Sequence, residues 1–333
     1  MEIVSDVNTI GKEEWSKYIL DHSLGNIFQS PQIYDFYLEV KNYKPYLICC
    51  LDNEGQIRGI LLAVFVKEEG LASFFSTRCL VISGPILDIN SESNLTLTEL
   101  LRALVKSARK ENAVYIEFRN LFDFSDKKKI FLEQGFNYSE HLNYQVSIDE
   151  EEKIRKRVSS SKLRQIKQSI SQGVEILEPT NIEQIKEFYI ILKELYKNKV
   201  RKPLPDWSFF ESFYRNNEIG KYFLICYCEK VIGGIMCPIY KGRIYEWYIC
   251  GQDGMYRKVY PSVLATWAPI KYALENGLKM FDFMGAGRPD ADYGVREFKA
   301  KFGGKLVNHG RFRKVLKPFN YKLGKLGLKI YRG

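Results

Sequence analysis

The sequence predicts a mixed α/β protein built from two copies of one unit, and three observations predict it. β-rich apolar runs are interleaved with segments whose apolar residues recur at helical spacing. The order of these elements repeats: each half carries helices, a β meander with one tight turn, a long helix and a closing strand. Between the halves, three consecutive glutamates (Glu150–Glu152) lead into a stretch over 153–172 that holds basic residues and no acid. That break places a domain boundary near 150, giving domains 1–149 and 150–310.

The elements follow in order. Runs at 46–52 and 57–66, joined by Asp52-Asn53-Glu54-Gly55, read as a β-hairpin. Strand-like pieces at 71–75 and 79–82 follow and end at Gly84-Pro85. Leu97, Leu100, Leu101, Leu104, Val105 and Ala108 mark a helix over 94–111. A strand at 113–118, a short helix near 126–134 stopped by Gly135, and a strand at 136–148 complete the first half. In the second half a basic helix opens the domain. A helix at 181–198, strands at 222–228, 231–240 and 243–250, a helix at 262–276 and a strand at 279–284 follow. The tail from Arg311 to Gly333 has eight basic residues and no acid. It reads as a terminal helix docked on the core by its apolar residues, with an anionic membrane surface as the alternative seat.

Composition bounds the function. Of the 333 residues, 45% are hydrophobic and 27% charged, the balance of a globular chain rather than a disordered or rod-like one. A formal charge of +10 favours anionic partners. The seven cysteines form no Cys-x-x-Cys pair and sit mostly in apolar runs, as buried thiols of a reducing compartment do; the three histidines are far apart, which argues against zinc. The N-terminus lacks a signal peptide and no apolar run is long enough to span a bilayer, so a cytoplasmic location is expected. No G-x-S-x-G, P-loop or dinucleotide-binding glycine pattern is present.

Two segments carry chemistry. The turn Phe283-Met284-Gly285-Ala286-Gly287 follows a strand, and Gly285 and Gly287 let backbone approach a ligand or turn sharply. Directly after it, Arg296, Lys299 and Lys301 lie among aromatic residues including Phe298 and Phe302. Such a mixture suits a phosphate-bearing ligand or, equally, a solvated basic face over buried rings. A third segment, Lys199 to Trp207, holds Arg201 and Lys202 in a proline-stiffened loop.

Together with Gly25–Ser30 and Tyr260-Pro261 before a helix, the Arg201-Lys202-Pro203 loop, the 283–287 turn and Glu297–Gly304 resemble the Fem family. These are the FemABX-type, tRNA-dependent aminoacyltransferases that extend peptidoglycan interpeptide bridges. The resemblance runs from about residue 20 to 320. It implies two tandem acetyltransferase-like (GNAT-like) domains without a coiled-coil arm, and a tail that packs on the first domain. It implies roles for Phe298 and Lys299 in transfer, with Lys299 stabilising negative charge, and for Arg201 or Lys202 in holding the diphosphate of a nucleotide- or lipid-linked muropeptide. Tyr260 joins the expected binding positions with Gly285, Gly287, Arg296 and Lys301. Where some members carry a further diphosphate-binding lysine, this chain has Asp35. The implied donor is aminoacyl-tRNA, with no cofactor or metal, and Asp282, Glu246 and Glu297 read as structural or surface carboxylates. Two rivals are an acyl-CoA-dependent N-acyltransferase and a non-catalytic nucleic-acid binder. The loop 251–261 lacks the R/Q-x-x-G-x-G arrangement of a CoA site, which counts against the first.

Overall fold

The computed structural model describes residues 1–67, 76–89, 92–291 and 293–332, with side chains as far as residue 327. It divides into unit 1, residues 1–140 with 308–333, and unit 2, residues 141–307. The strand expected at 71–75 lies outside the described residues.

Unit 1 contains strands β1 (Glu2–Val4), β2 (Tyr43–Leu51), β3 (Ile57–Val66), β4 (Arg78–Ile82), β5 (Ile86–Leu87), β6 (Tyr115–Arg119) and β7 (Asn137–Ser139). Unit 2 contains β8 (Leu142–Ser147), β9 (Glu175–Leu177), β10 (Gly220–Tyr227), β11 (Lys230–Tyr240), β12 (Arg243–Tyr245), β13 (Tyr248–Gly251), β14 (Met280–Asp282) and β15 (Lys305–Asn308), whose last residue is already counted in unit 1. The chain then returns to unit 1 with β16 (Arg311–Val315).

The first sheet has the order β1-β2-β3-β4-β6-β16-β7, with β5 on β3. Its hairpin forms where expected, because Asp52 closes the turn: its carboxylate accepts from the N–H groups of Glu54 and Gln56, and Gly55 takes φ +78°. β4 crosses over to β6 through the helix Ser93–Lys110 and pairs with it in parallel, Arg78 opposite Tyr115. Leu97, Leu100, Leu101, Leu104 and Ala108 of that helix are buried in the core under the sheet. Gln29 is fully buried and bridges β3 and β4 just beyond the Val64–Leu80 pair where their pairing stops: its Nε2 donates to Leu62 and Ile82 carbonyls and its Oε1 accepts from Leu62 N–H. Gly84 must be glycine for this clip, since a Cβ there would lie 2.5 Å from Gln29 Cδ.

The second sheet runs β15-β8-β14-β12-β11-β10-β9, with β13 on β11. The crossover recurs: β12 leads through β13 and the helix Pro261–Glu275 to β14, and β12 and β14 pair in parallel. Two units with the same strand, long helix, parallel strand arrangement are what the repeated element order predicts.

Four expectations change. The strand read at 136–148 is two strands, β7 and β8, split at Glu140-His141; because β8 pairs with β14, the division falls at 140/141 rather than near 150. The basic helix is two helices, Glu151–Arg157 and Ser160–Ser171, because the Ser159 side chain caps the second by accepting from Lys162 N–H. Much of its charge is spent locally, Lys153 on Glu150, Arg155 on Glu151, Lys156 on Glu152 and Arg157 on Asp149. The strand read at 243–250 breaks after Tyr245. The tail enters unit 1 as a strand: β16 inserts between β6 and β7 with Phe312 stacked on Phe131, centroids 4.0 Å apart, and only then does a helix, Pro318–Arg332, follow.

Candidate active site

The break in the 243–250 strand shapes the site. β12 and β14 run side by side through Tyr245 opposite Asp282, and Glu246 N–H adds one more bond, 2.8 Å, to Asp282 O. Then they part. Trp247 N–H turns back to Met236 O of β11, whereas Phe283 and Ala286 N–H groups bond to Tyr144 and Leu142 carbonyls of β8. Two parallel strands therefore diverge at their C-terminal ends, the position where open α/β sheets offer a crevice.

Lys299, from the helix Gly294–Ala300, ties the two sides of this notch. Its ammonium donates to Phe283 O (3.0 Å) and Gly285 O (2.8 Å) and lies 2.7 Å from Glu246 Oε1. All three of its protons have acceptors, and lysine and glutamate are both buried. Burial pushes the Glu246 carboxyl above its ordinary range, with the Lys299 charge opposing. Asp282, fully buried at the end of β14, is likewise raised by burial against the hydrogen bonds from Asn143, Gln145 and Met284 N–H. Asn143 is a double clip: its Nδ2 donates to Asp282 (2.8 Å) and its Oδ1 accepts from Gly285 N–H (2.7 Å). The two carboxylates expected to be structural are buried members of this frame, and Glu297 is exposed.

The glycine turn is held from several sides. Gly285 has φ +142°, and a Cβ on it would stand 3.1 Å from His141 Nε2; Gly287 has φ +79°, and a Cβ there would stand 2.8 Å from the Tyr293 ring. Arg296, expected to meet an anion, instead spends its guanidinium on carbonyls of its own loop: Ala286 at 3.0 Å, Ala291 at 2.9 Å, Pro289 at 3.4 Å and Arg288. It clamps the turn.

Phe298, half-buried, lies beside Phe302 and carries the ammonium of Lys162 4.1 Å above its ring. Burial, and then the charge of Lys301, lowers the Lys162 pKa, with Asp253 opposing. Lys162 escaped the sequence reading because nothing in the basic stretch separates it from Arg164 or Lys167. Lys301 itself is exposed.

Arg201 and Lys202 are exposed at the end of the helix Ile182–Leu195, which finishes in a π-helical turn, Tyr196–Val200. Arg201 takes the left-handed conformation (φ 50°), with its N–H on Tyr196 O. From there a wall of rings runs toward the notch: Tyr196 meets Tyr248, and Phe209 meets both Tyr248 and Trp247, the residue after Glu246. Aromatic contact thus links the 201–202 loop to the opened strand.

Tyr260 precedes the helix Pro261–Glu275, its N–H on Ser169 Oγ. The first turn of that helix is capped from within. Pro261 has no N–H, Ser262 N–H donates to the Asp253 carboxylate (3.2 Å), and Val263 and Leu264 N–H groups both go to Tyr260 O. Gly251 packs so closely that a Cβ would lie 2.5 Å from Ser262 N. A pyrophosphate binds a helix N-terminus through open N–H donors, and here a carboxylate already takes that place. In unit 1, Asp35 pairs with Lys12 at 2.7 Å. Among the described residues no group of three or more His, Cys, Asp and Glu side chains is placed to hold a metal ion.

The FemAB family model matches residues 231–328, a segment that includes all but the first residue of β11, Glu246, the glycine turn and Lys299. No curated protein matches the sequence. Among solved structures, the chain resembles FemX with a TM-score of 0.71 at 16% identity, over 97% of this chain and 99% of that one. It resembles a tandem GNAT protein from the clavulanic acid biosynthesis pathway (TM-score 0.58, 9% identity, 94% and 98% coverage). It also resembles the C-terminal domain of a putative lysylphosphatidylglycerol synthetase from Agrobacterium fabrum (TM-score 0.56, 13% identity, 96% and 95% coverage). At these identities the likeness establishes the fold: two tandem GNAT-like domains.

Proposed function

Taking the chain as a Fem-family protein, which the family match over 231–328 and the FemX-like fold support, we propose that it is an acyltransferase. On this reading it moves an aminoacyl group from aminoacyl-tRNA to an amine of a peptidoglycan precursor or related cell-envelope acceptor. The observation that carries the choice of donor is the internally capped first turn of the helix Pro261–Glu275. The Asp253 carboxylate disfavours the pyrophosphate of an acyl-CoA there by charge and by occupying the donor.

The reaction is aminolysis. The acceptor nitrogen attacks the ester carbonyl, a C–N bond forms, the bond to the ribose oxygen breaks, and the nitrogen's proton leaves with that oxygen. The ester is already activated, so the main demand is to hold the two substrates and stabilise the developing oxyanion. Lys299 supplies a fixed positive charge in a desolvated notch while keeping the 283–287 turn in place; Phe298, under Lys162, is the aromatic surface beside it. Arg201 and Lys202, exposed at the far end of the ring wall, are the residues for the acceptor's diphosphate.

The test is transfer of a radiolabelled amino acid from charged tRNA to a nucleotide-linked muropeptide by the purified protein, run beside radiolabelled acetyl-CoA. Product from charged tRNA alone is expected. Product from acetyl-CoA, with none from charged tRNA, would replace this reading with a CoA-dependent acyltransferase.

A further inference from the structure

The helix Pro318–Arg332 is amphipathic in the wrong sense for a segment that only docks on its own protein. Among the residues whose side chains are described, it meets unit 1 through Asn320 and Tyr321. Tyr321 packs edge-on against Tyr115, 5.6 Å between centroids, its hydroxyl accepts from Arg313 Nη1 at 2.7 Å, and Asn320 is buried. Phe319, Leu323 and Leu326, at positions i, i+4 and i+7, form one stripe on the side turned away. They are 72%, 38% and 55% exposed. A helix stabilised only by docking would present the opposite pattern, with apolar residues inward and polar residues out.

Charge says what the stripe is for. Lys322 and Lys325 lie beside it and are exposed, Lys325 over the Tyr321 ring, and the sequence of the helix itself holds four basic residues and no acid. An apolar stripe edged by lysines, with no carboxylate to repel phosphate, matches an anionic lipid surface. Rings and leucines enter the boundary between headgroups and acyl chains while the ammonium groups remain among the phosphates. No helix of the described residues is long and apolar enough to cross a membrane, so contact through this helix would be peripheral.

We propose that the exposed face of the helix Pro318–Arg332, with Phe319, Leu323 and Leu326 beside Lys322 and Lys325, binds the surface of an anionic phospholipid bilayer. This surface is independent of which acyl donor the notch uses, and its test involves no turnover. The full chain is sedimented with vesicles of phosphatidylglycerol and phosphatidylcholine in a 3:7 ratio, about 1 mM lipid, and with pure phosphatidylcholine, across a salt series. Binding to the anionic vesicles alone, weakening as salt rises, is expected. Phe319→Ser with Leu326→Ser should lower it at least about tenfold, and Lys322→Glu with Lys325→Glu by a similar factor or more. Both pairs lie on exposed positions, so the melting temperature should stay at the wild-type value. Unchanged binding in the Phe319→Ser, Leu326→Ser variant would overturn the proposal. A wild-type dimer that this variant converts to monomer, without vesicle binding by either, would also overturn it and assign the stripe to a second copy of the chain.

Discussion

Each unit buries carboxylates in its sheet, and the two treat them in opposite ways. In unit 1, Glu117 of β6 faces three guanidinium groups: Arg119 on its own strand at 2.9 Å, and Arg313 and Arg311 on the inserted strand β16. Burial alone would raise its carboxyl, but the three arginine charges and the Arg313 hydrogen bond hold it well below the ordinary carboxylate range. The surplus of positive charge shows on the other partner, where burial and then Arg119 bring Arg311 down to about 10. In unit 2, Glu246 has the one lysine, Lys299, and Asp282 has the amides of Asn143 and Gln145, the Met284 N–H and the more distant charge of Arg243, and burial leaves both raised. The first arrangement fastens the returning tail to its sheet. The second buries a lysine–glutamate pair and a second carboxylate at the ends of two parting strands, the kind of perturbed cluster on which the proposed site rests.

The largest effect expected from breaking this contrast is at Lys299. Lys299→Ala leaves Glu246 buried without its cation and unties Phe283 and Gly285. Transfer should fall on the order of 100-fold or more, and stability by about 3–5 kcal/mol. Pairing Lys299→Met with Glu246→Gln separates the two, since removing both charges should recover most of the melting temperature and little of the turnover. Wild-type turnover in either variant would move the chemistry away from the notch.

Next come the buried carboxylates, whose pH dependences should run in opposite directions. A carboxyl lowered on folding contributes stability that is present above its unfolded value, near pH 4.3, and lost as pH falls through the folded one. Glu117→Gln should therefore cost about 3 kcal/mol at neutral pH, and the gap to wild type should close on acidification. For Asp282 the sign reverses. Its folded value is raised, so its contribution is largest below the unfolded value, about 3.9, and declines as pH rises toward the folded one. The gap between Asp282→Asn and wild type should narrow with rising pH. Urea unfolding of both variants between pH 3.5 and 7 checks this, and gaps that change in the same direction would erase the distinction between the units.

A smaller effect is expected at the exposed end of the ring wall. Arg201→Ala with Lys202→Ala should raise KM for the acceptor about tenfold, with kcat nearly unchanged. An equal loss in both constants would place the pair nearer the reacting atoms. The smallest change is Gly287→Ala, which forces a side chain into a left-handed backbone and against Tyr293, costing about 1–2 kcal/mol. Thermal unfolding measures it, and an unchanged melting temperature would mean that the turn relaxes freely.

The repeated unit, the Asp52–Gly55 hairpin, the 93–110 helix and the aromatic-basic-glycine segment around Lys299 could be read from residues alone. Each rests on short-range rules: apolar spacing, turn chemistry, the need for glycine at positive φ. The breaks could not be read. Arg243–Cys250 is one apolar, aromatic run and looks like one strand, yet Glu246 leaves it because β12 follows β14 and β13 follows β11. Arg296 and Lys299 look alike in sequence, two cations on one short helix. Only the folded loop decides that one clamps carbonyls and the other bridges two strands. The tail reads as an amphipathic helix, but its first residues complete a sheet, since only tertiary pairing tells a strand's partner. Composition and local pattern determined which elements this chain makes and that it would favour anions. Which charges are neutralised and which are left in a notch was decided by contacts between residues far apart in sequence, Glu246 with Lys299 and Glu117 with Arg313, because burial and dielectric are properties of the packed chain.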